Sequence, residues 1–358
     1  MRRYRAPGRA NLLGEHTDHT DGLVLPAAID RGVTLAGEPG GDRLRLTSAD
    51  APGAVDVAAD GSEPGEGWGR FVAAVAAELT AAGRPPVGFT GELASDLPQG
   101  AGLSSSAALE VVLAIALIDA VDVHLDAMEI AALCRRAEHR AVGVPSGIMD
   151  QAASILGRAD RAVLLDCGTL DHRTVPLPRD HVLVIVDSGV QRQLESSGYE
   201  QRTRELAAAL PVLGGRRPAD VDPAELDPLL DELEELPARR LRHVVCENAR
   251  VRAVVAAFDA GELDVVSELF AAGHTSLRDD FEVSIPELDA LVELSVDAGA
   301  TAARMTGGGF GGSIVALVAR DAAERLGAEV AAGYRTRFPH REPAVHVCHA
   351  ADGARRLD

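Results

Sequence analysis

The sequence contains no lysine: all 35 basic residues among its 358 are arginine. That absence removes several classes of chemistry. P-loop nucleoside triphosphatases set a lysine on the nucleotide phosphates and protein kinases hold one on a strand. Schiff-base and pyridoxal phosphate enzymes need one as well. A protein of this composition that handles a nucleoside triphosphate does so with backbone amides, hydroxyls, metal and arginine. Cysteine is also scarce. Cys134, Cys167, Cys246 and Cys348 are far apart and form no Cys-x-x-Cys pair, which fits reduced thiols and not a disulfide framework or a zinc site. Long apolar runs are missing. The longest apolar region, 107–121, is interrupted by Glu110 and Asp119 and is too short to span a bilayer. The basic N-terminus is followed by no apolar segment of the kind a secretion signal needs. A cytoplasmic protein with no membrane partner is expected. The net charge of −20 argues against nucleic acid or an anionic membrane as the main partner.

What is present reads as an ordinary soluble protein, 46% hydrophobic and 25% charged, long enough for two domains. The chain is organised around residues 98–108, PQGAGLSSSAA. A strand-like run, 87–93, precedes them and the apolar helical run 107–121 follows. The first turn of such a helix leaves backbone N–H groups unpaired, with partial positive charge from the helix dipole. Gly100 and Gly102 let the backbone come close to a ligand across Ala101 and Leu103, and Ser104, Ser105 and Ser106 add three hydroxyls. This is a ready phosphate site. A serine cap on a core helix is the plainer alternative, but one capping serine needs no such neighbours.

Helical periodicity covers 68–82, 126–141, 240–259, 262–275 and 286–298. A further helix is expected to start at Asp222-Pro223-Ala224-Glu225, which has the form of a capping box with proline at its first position. Short strands are expected within 30–57 and at 162–166, 182–187 and 313–319. The two halves are expected to divide near 175–190, as 1–180 and 181–358. Gly307 to Gly312 matches Gly-x-Gly-x-x-Gly, but a strand follows where a dinucleotide-binding fingerprint needs a helix. Close approach to a neighbouring loop or ligand fits better.

Glu15-His16-Thr17-Asp18-His19 packs two carboxylates and two imidazoles into five positions. Metal ligation, a polar turn without function, and recognition of sugar hydroxyls by paired acceptors remain open for it. Asp150, after a Gly/Pro turn beside Gly147, could accept a proton from a substrate hydroxyl or could cap a helix. Glu138, twelve residues earlier, could give a carboxylate to Mg²⁺, which takes few protein oxygens beside phosphate.

Residues 98–106 resemble the phosphate-binding motif of the GHMP small-molecule kinases, which include galactokinases and homoserine, mevalonate and phosphomevalonate kinases. Residues 8–18, GRANLLGEHTD, look like the signature of the galactokinase branch. Residues 143–151, GVPSGIMDQ, resemble its active-site segment, and 243–248, 276–284 and 305–312 continue the likeness. The resemblance implies an α+β, two-lobed fold, with an S5 domain 2-like N-terminal lobe, a ferredoxin-like C-terminal lobe and the active site between them. It implies an ATP-dependent sugar 1-kinase that uses Mg²⁺, with galactose as the sugar and a monomeric state expected.

In that scheme Asp150 takes the proton from the anomeric hydroxyl and Arg9 stabilises the developing charge. Glu15, His16, Asp18, Gly147 and Tyr199 hold sugar hydroxyls. Gly100 to Ser106 wrap the ATP phosphates, with Ser106 and Glu138 on Mg²⁺; Ser105 is adjacent, and loop geometry decides between the two serines. Trp68 corresponds to a tryptophan near the adenine, although a core aromatic is the alternative. His19-Thr20 stands where the family usually has Tyr-Asn, and Arg192 replaces a common histidine. These departures leave room for arabinose or another hexose as the sugar. A non-catalytic sugar and ATP sensor is the remaining alternative.

Overall fold

The computed structural model describes all residues except Gln99, Asp122, Val144, Pro145 and residues 191–194, together with the side chains of 195–197. The first lobe carries strands β1 (Arg2–Asn11), β3 (Pro26–Pro39), β4 (Arg43–Ser48), β5 (Val55–Ala58) and β6 (Phe89–Ser95), completed by β13 (Arg355–Arg356). They form one six-stranded sheet in the order β13-β1-β3-β6-β4-β5, antiparallel except where β4 runs parallel to β6. The last residues of the chain therefore return to the first lobe. Helices α1 (Gly69–Ala81), α2 (Ser105–Asp119), α3 (Ala127–Val142) and α4 (Met149–Leu156) accompany this sheet, with α2 and α4 packed on β1 and β3 and with α1 and α3 packed on each other. A small sheet of β2 (Leu23–Val24), β7 (Arg161–Asp166) and β8 (His172–Pro176) lies alongside.

The second lobe is built on β9 (His181–Asp187), β10 (Ala302–Thr306), β11 (Ser313–Ala319) and β12 (Ala344–Cys348), antiparallel in the order β10-β11-β9-β12. Its helices are α5 (Glu195–Ala209), α6 (Leu226–Leu230), α7 (Glu235–Ala260), α8 (Leu263–Asp279), α9 (Pro286–Asp297) and α10 (Ala323–Arg337). The apolar run of β9 shows why the lobes hold together. Side chains alternate along a strand, so Val182, Val184 and Val186 enter the core of the second lobe. Leu183 and Ile185, on the opposite face, join the core shared with β1, β3 and α2.

The expected elements appear with shifted ends. The helix after the glycine–serine loop begins at Ser105, so two of the three serines lie in its first turn. The 30–57 region is less broken than expected, because β3 alone runs for 14 residues. The segment at Asp222 needs correction. Asp222 caps the amide of Ala224, and the chain makes a single 3₁₀ turn before the five-residue α6. Glu225, which would complete a capping box, pairs with Arg216 at 2.8 Å instead. The reciprocal box is found at α3, where Asp126 and Glu129 each accept from the other's backbone N–H. All four cysteines are free thiols. Among the described residues no helix is long and apolar enough to cross a membrane.

Candidate active site

The site begins where β1 meets the glycine–serine loop. A side chain at Gly8 would strike the carbonyl of Leu103, so the absence of one lets the loop close onto the strand, and Arg9 N donates to Leu103 O at 3.2 Å. The loop runs between β6 and α2, with Gly100 (φ 77°) and Gly102 (φ 73°) in the left-handed region that favours glycine. Ser104 occupies the N-cap position, yet its side chain makes no capping bond. Its hydroxyl donates to the Asp150 carboxylate instead. The first-turn amides of α2 are thus left for another acceptor, which is what an anion site requires.

Asp150 lies in the first turn of α4. The buried Arg9 guanidinium grips both of its oxygens, Nε to Oδ1 at 2.8 Å and Nη2 to Oδ2 at 2.9 Å, while Arg9 Nη1 donates to Gly102 O at 2.6 Å. One arginine therefore ties the carboxylate to the loop. Arg9, Gly100, Gly102, Ser104, Ser105, Ser106 and Asp150 line one cavity of about 810 Å³, faced across the lobes by Asp187 and Glu342. Trp68 is not in that lining. It stands half-buried at the start of α1, with its indole N–H directed to Pro52 O at 3.3 Å.

Behind Ser106 lies Glu138 on α3. Ser106 Oγ donates to Glu138 Oε1 at 3.0 Å, and Glu138 Oε2 accepts from Ser146 Oγ at 2.7 Å and Gln151 Nε2 at 3.0 Å. Ser105 is exposed. Among the described residues no group of three or more His, Cys, Asp or Glu side chains is placed to hold a metal, and that includes the 15–19 cluster. The Ser106–Glu138 pair fits Mg²⁺ in another way, as two hard oxygens beside a phosphate site that leave the remaining positions to phosphate and water.

The 15–19 segment follows β1 directly. His16 holds a positive φ of 61°, a conformation that persists only where surrounding structure fixes it. That fixing comes from the second lobe. Gly307 N donates to Glu15 Oε1 at 2.7 Å, His243 Nε2 bonds the Glu15 carbonyl at 3.1 Å, and Gly14 N donates to Glu247 Oε1 at 2.9 Å. The glycine run after β10 thus approaches a neighbouring loop closely and turns back into β11. Glu247 also pairs with the fully buried Arg304 at 2.7 Å. The rings of His16 and His19 lie 5.8 and 5.9 Å from that of Tyr199, and Phe281 packs 4.6 Å from His16. A side chain at Gly147 would run into the Asp18 carboxylate.

Burial dominates the electrostatics here. It pushes the Glu15 carboxyl up to about 7 against the opposing charges of Arg304 and Arg9. It lowers His16 to about 3 and His243 to about 4, so both imidazoles are neutral near pH 7. Several polar atoms are buried without a hydrogen-bond partner among the described residues, Nε2 of His16 and Nε2 of His19 among them, while Nδ1 of His19 lies 3.6 Å from Asp18 Oδ1. Such atoms are costly unless a ligand or water satisfies them.

The sequence-derived residues therefore fall into two adjoining groups. Arg9, the 100–106 loop, Glu138 and Asp150 form one; Glu15, His16, Asp18, Gly147 and Tyr199 form the other. Arg192 lies outside the described residues. Sequence reasoning gave no role to Glu110, Gln151, Glu247 or Arg304. A usable signal existed for two of them, since Glu110 interrupts the apolar run of α2 and Arg304 is the one charged residue of Ala302–Thr306.

Comparison with known proteins identifies the family. Residues 70–158 match the model of the GHMP kinases N terminal domain, residues 254–336 that of the GHMP kinases C terminal, and residues 2–39 the galactokinase galactose-binding signature. The chain is 41% identical over 361 residues to the galactokinase of Roseiflexus sp. (strain RS-1), covering 99% of this chain and 92% of that one. Its structure matches that of Lactococcus lactis galactokinase complexed with galactose with a TM-score of 0.94 and 34% identity, across 99% of this chain and 95% of the other. Methanococcus jannaschii mevalonate kinase, with a TM-score of 0.68 and 17% identity over 98% of both chains, shares the fold. The fold is that of a two-lobed, α+β GHMP kinase. Within that class, the chain belongs to the galactokinase family.

Proposed function

We infer that the protein is an ATP-dependent sugar 1-kinase that converts α-D-galactose to galactose 1-phosphate. The observation that carries this reading is the position of Asp150, gripped by Arg9 where the phosphate loop meets a cluster of buried, unsatisfied polar groups. The sugar hydroxyls satisfy Glu15, His16, Asp18 and the Gly147 segment, with Tyr199 closing over them. The C1 hydroxyl then faces Asp150, which takes its proton. The C1 oxygen forms a bond to the γ-phosphorus, the bond from that phosphorus to the bridging oxygen breaks, and ADP leaves with the electron pair. Arg9 holds the base in place and places positive charge beside the transferring group, and the amides and hydroxyls of 100–106 bind the phosphates.

Ser106 and Glu138 are the residues that would hold Mg²⁺, which when bound neutralises charge on the nucleotide phosphates. Ser106 is favoured over Ser105 because its hydroxyl already meets Glu138. The reading includes a monomer in the cytoplasm, with lobes divided near residue 180 apart from β13, which returns to the first lobe.

The test is ADP release with MgATP and a panel of free sugars. Turnover with galactose, and a product phosphorylated at C1, supports the assignment. Preferred turnover of arabinose or another hexose moves it to that sugar and places the difference on His19-Thr20-Asp21 and Arg192. Sugar and ATP binding without turnover leaves a sensor.

A further inference from the structure

Beneath the phosphate loop, four side chains from three helices close a polar ring. Ser106 and Glu110 are four residues apart and so share one face of α2. Ser106 Oγ bonds Glu138 Oε1 on α3 at 3.0 Å. Glu138 Oε2 accepts from Gln151 Nε2 on α4 at 3.0 Å. The same nitrogen donates to Glu110 Oε2, back on α2, at 3.1 Å. Glu110 and Gln151 are fully buried. A carboxyl at such a place adds no stability that a well-packed apolar side chain would not match, so its presence between Ala107, Val111 and Leu113 calls for another reason.

Geometry supplies one. A carboxamide nitrogen carries two protons. With Glu138 as its sole acceptor, the Gln151 amide could turn about that bond. Glu110 takes the second proton and fixes the amide plane. Ser146 adds a second donor to the same Glu138 oxygen at 2.7 Å. With Oε2 held from behind by two donors, Oε1 is left turned toward Ser106 and the phosphate loop. Gln151 also follows Asp150 directly in the first half of α4, so the ring ties the helix that bears the base to the helix that bears Glu138.

We propose that Glu110 and Gln151 are positioning residues that hold the Glu138 carboxylate in the orientation in which it receives Mg²⁺ with the nucleotide. Neither touches substrate. The proposal rests on the reading of Ser106 and Glu138 as the cation-holding pair.

Calorimetric binding of a non-hydrolysable ATP analogue, with and without Mg²⁺, tests it. In the wild type Mg²⁺ tightens binding, and Glu138→Gln diminishes that tightening. Glu110→Ala and Gln151→Ala each weaken the Mg²⁺-dependent part about tenfold or more, as loss of a partner behind a metal ligand does. Analogue affinity without Mg²⁺ and galactose affinity are unchanged. Glu110→Gln restores wild-type behaviour, because its amide oxygen still accepts from Gln151. Leu113→Ala, a packing deletion on the same helix, lowers the melting temperature without altering the Mg²⁺ effect.

A wild-type Mg²⁺ effect in Glu110→Ala overturns the proposal. So does an equal loss of analogue affinity with and without Mg²⁺, the mark of general damage. If Glu138→Gln also leaves the Mg²⁺ effect intact, the reading of Glu138 falls as well; if Glu138→Gln alone diminishes it, only the positioning role falls.

Discussion

Arg9 meets Asp150 side-on, with two parallel N–H···O bonds of 2.8 and 2.9 Å, and spends its remaining nitrogen on the carbonyl of Gly102. Paired bonds of this kind fix the plane of a carboxylate as well as its position. Asp150→Ala is therefore expected to lower kcat by about a hundredfold or more, the scale of a lost general base. ATP and galactose still bind, as calorimetry would read. Arg9→Lys keeps one charge but cannot pair both oxygens or reach Gly102 together. It should lower kcat more than it raises the KM for galactose. Full turnover in Asp150→Ala would remove the base role.

With Glu15 as a proposed acceptor of sugar hydroxyls, sugar binding is expected to depend on pH. Its carboxyl titrates near 7 because burial favours the neutral form, whereas an acceptor of sugar hydroxyls works best ionised. Galactose affinity should therefore strengthen as pH rises through about 7. His16 and His243, displaced to about 3 and 4, stay neutral over this window. Glu15→Gln should flatten the profile, and a slope that survives in that variant would assign the titration elsewhere. Stability responds in the opposite sense. Glu15 binds its proton more tightly folded than unfolded, so its contribution is full below the ordinary value of 4.5 and is lost as pH rises through about 7.

Local features of the chain were legible; partners across it were not. The strand, loop and helix around 98–108 announce themselves because glycine, serine and an apolar run each leave a local signature. Arg9 and Asp150 are 141 positions apart, and no periodicity pairs them from chemistry alone. Ser104 shows the same limit. Sequence position offered it as a cap or a phosphate donor, and the structure turns its hydroxyl to Asp150. β13 is two residues long and joins the sheet only because β1 presents an open edge. β1 itself was hidden by its arginines and central proline and glycine, residues that do not mark a strand. At Asp222 only half of the local pattern holds: Asp222 caps Ala224 at the start of a 3₁₀ turn that leads into α6, while Glu225 pairs with Arg216.

Gly147 provides a steric test of the sugar side. A methyl group there would occupy the space of the Asp18 carboxylate, and overpacking of this kind costs about 1–3 kcal/mol or a shift of the neighbour. Gly147→Ala should displace Asp18 and raise the KM for galactose about tenfold or more, while the affinity for ATP, with its proposed site at the 100–106 loop, changes little. Steady-state kinetics with each substrate varied in turn would read this. An unchanged KM for galactose would separate Asp18 from the sugar.

The Arg304–Glu247 pair, with both side chains wholly buried, makes the last prediction one of stability. Glu247 Oε1 receives Arg304 Nη2 at 2.7 Å and the Gly14 amide at 2.9 Å, and Arg250 bonds Oε2 at 2.7 Å. Burial works to raise this carboxyl, but the charges of Arg304 and Arg250 outweigh it and hold the group well below its ordinary value. Removing one member leaves buried charge uncompensated, so Glu247→Ala should cost about 3–5 kcal/mol in urea unfolding. Replacing both partners, as Glu247→Leu with Arg304→Met, should recover part of that loss, since only the half-buried Arg250 is then left without its carboxylate. Because the folded value is depressed, the contribution is present above the ordinary value of 4.5 and fades as pH falls below it. The wild type should thus lose stability on acidification more steeply than the double variant. Parallel pH profiles for the two proteins would show that the pair does not set this dependence. The double variant also loses the Arg304 charge that opposes protonation of Glu15, so its galactose affinity should reach full strength only at a higher pH than in the wild type.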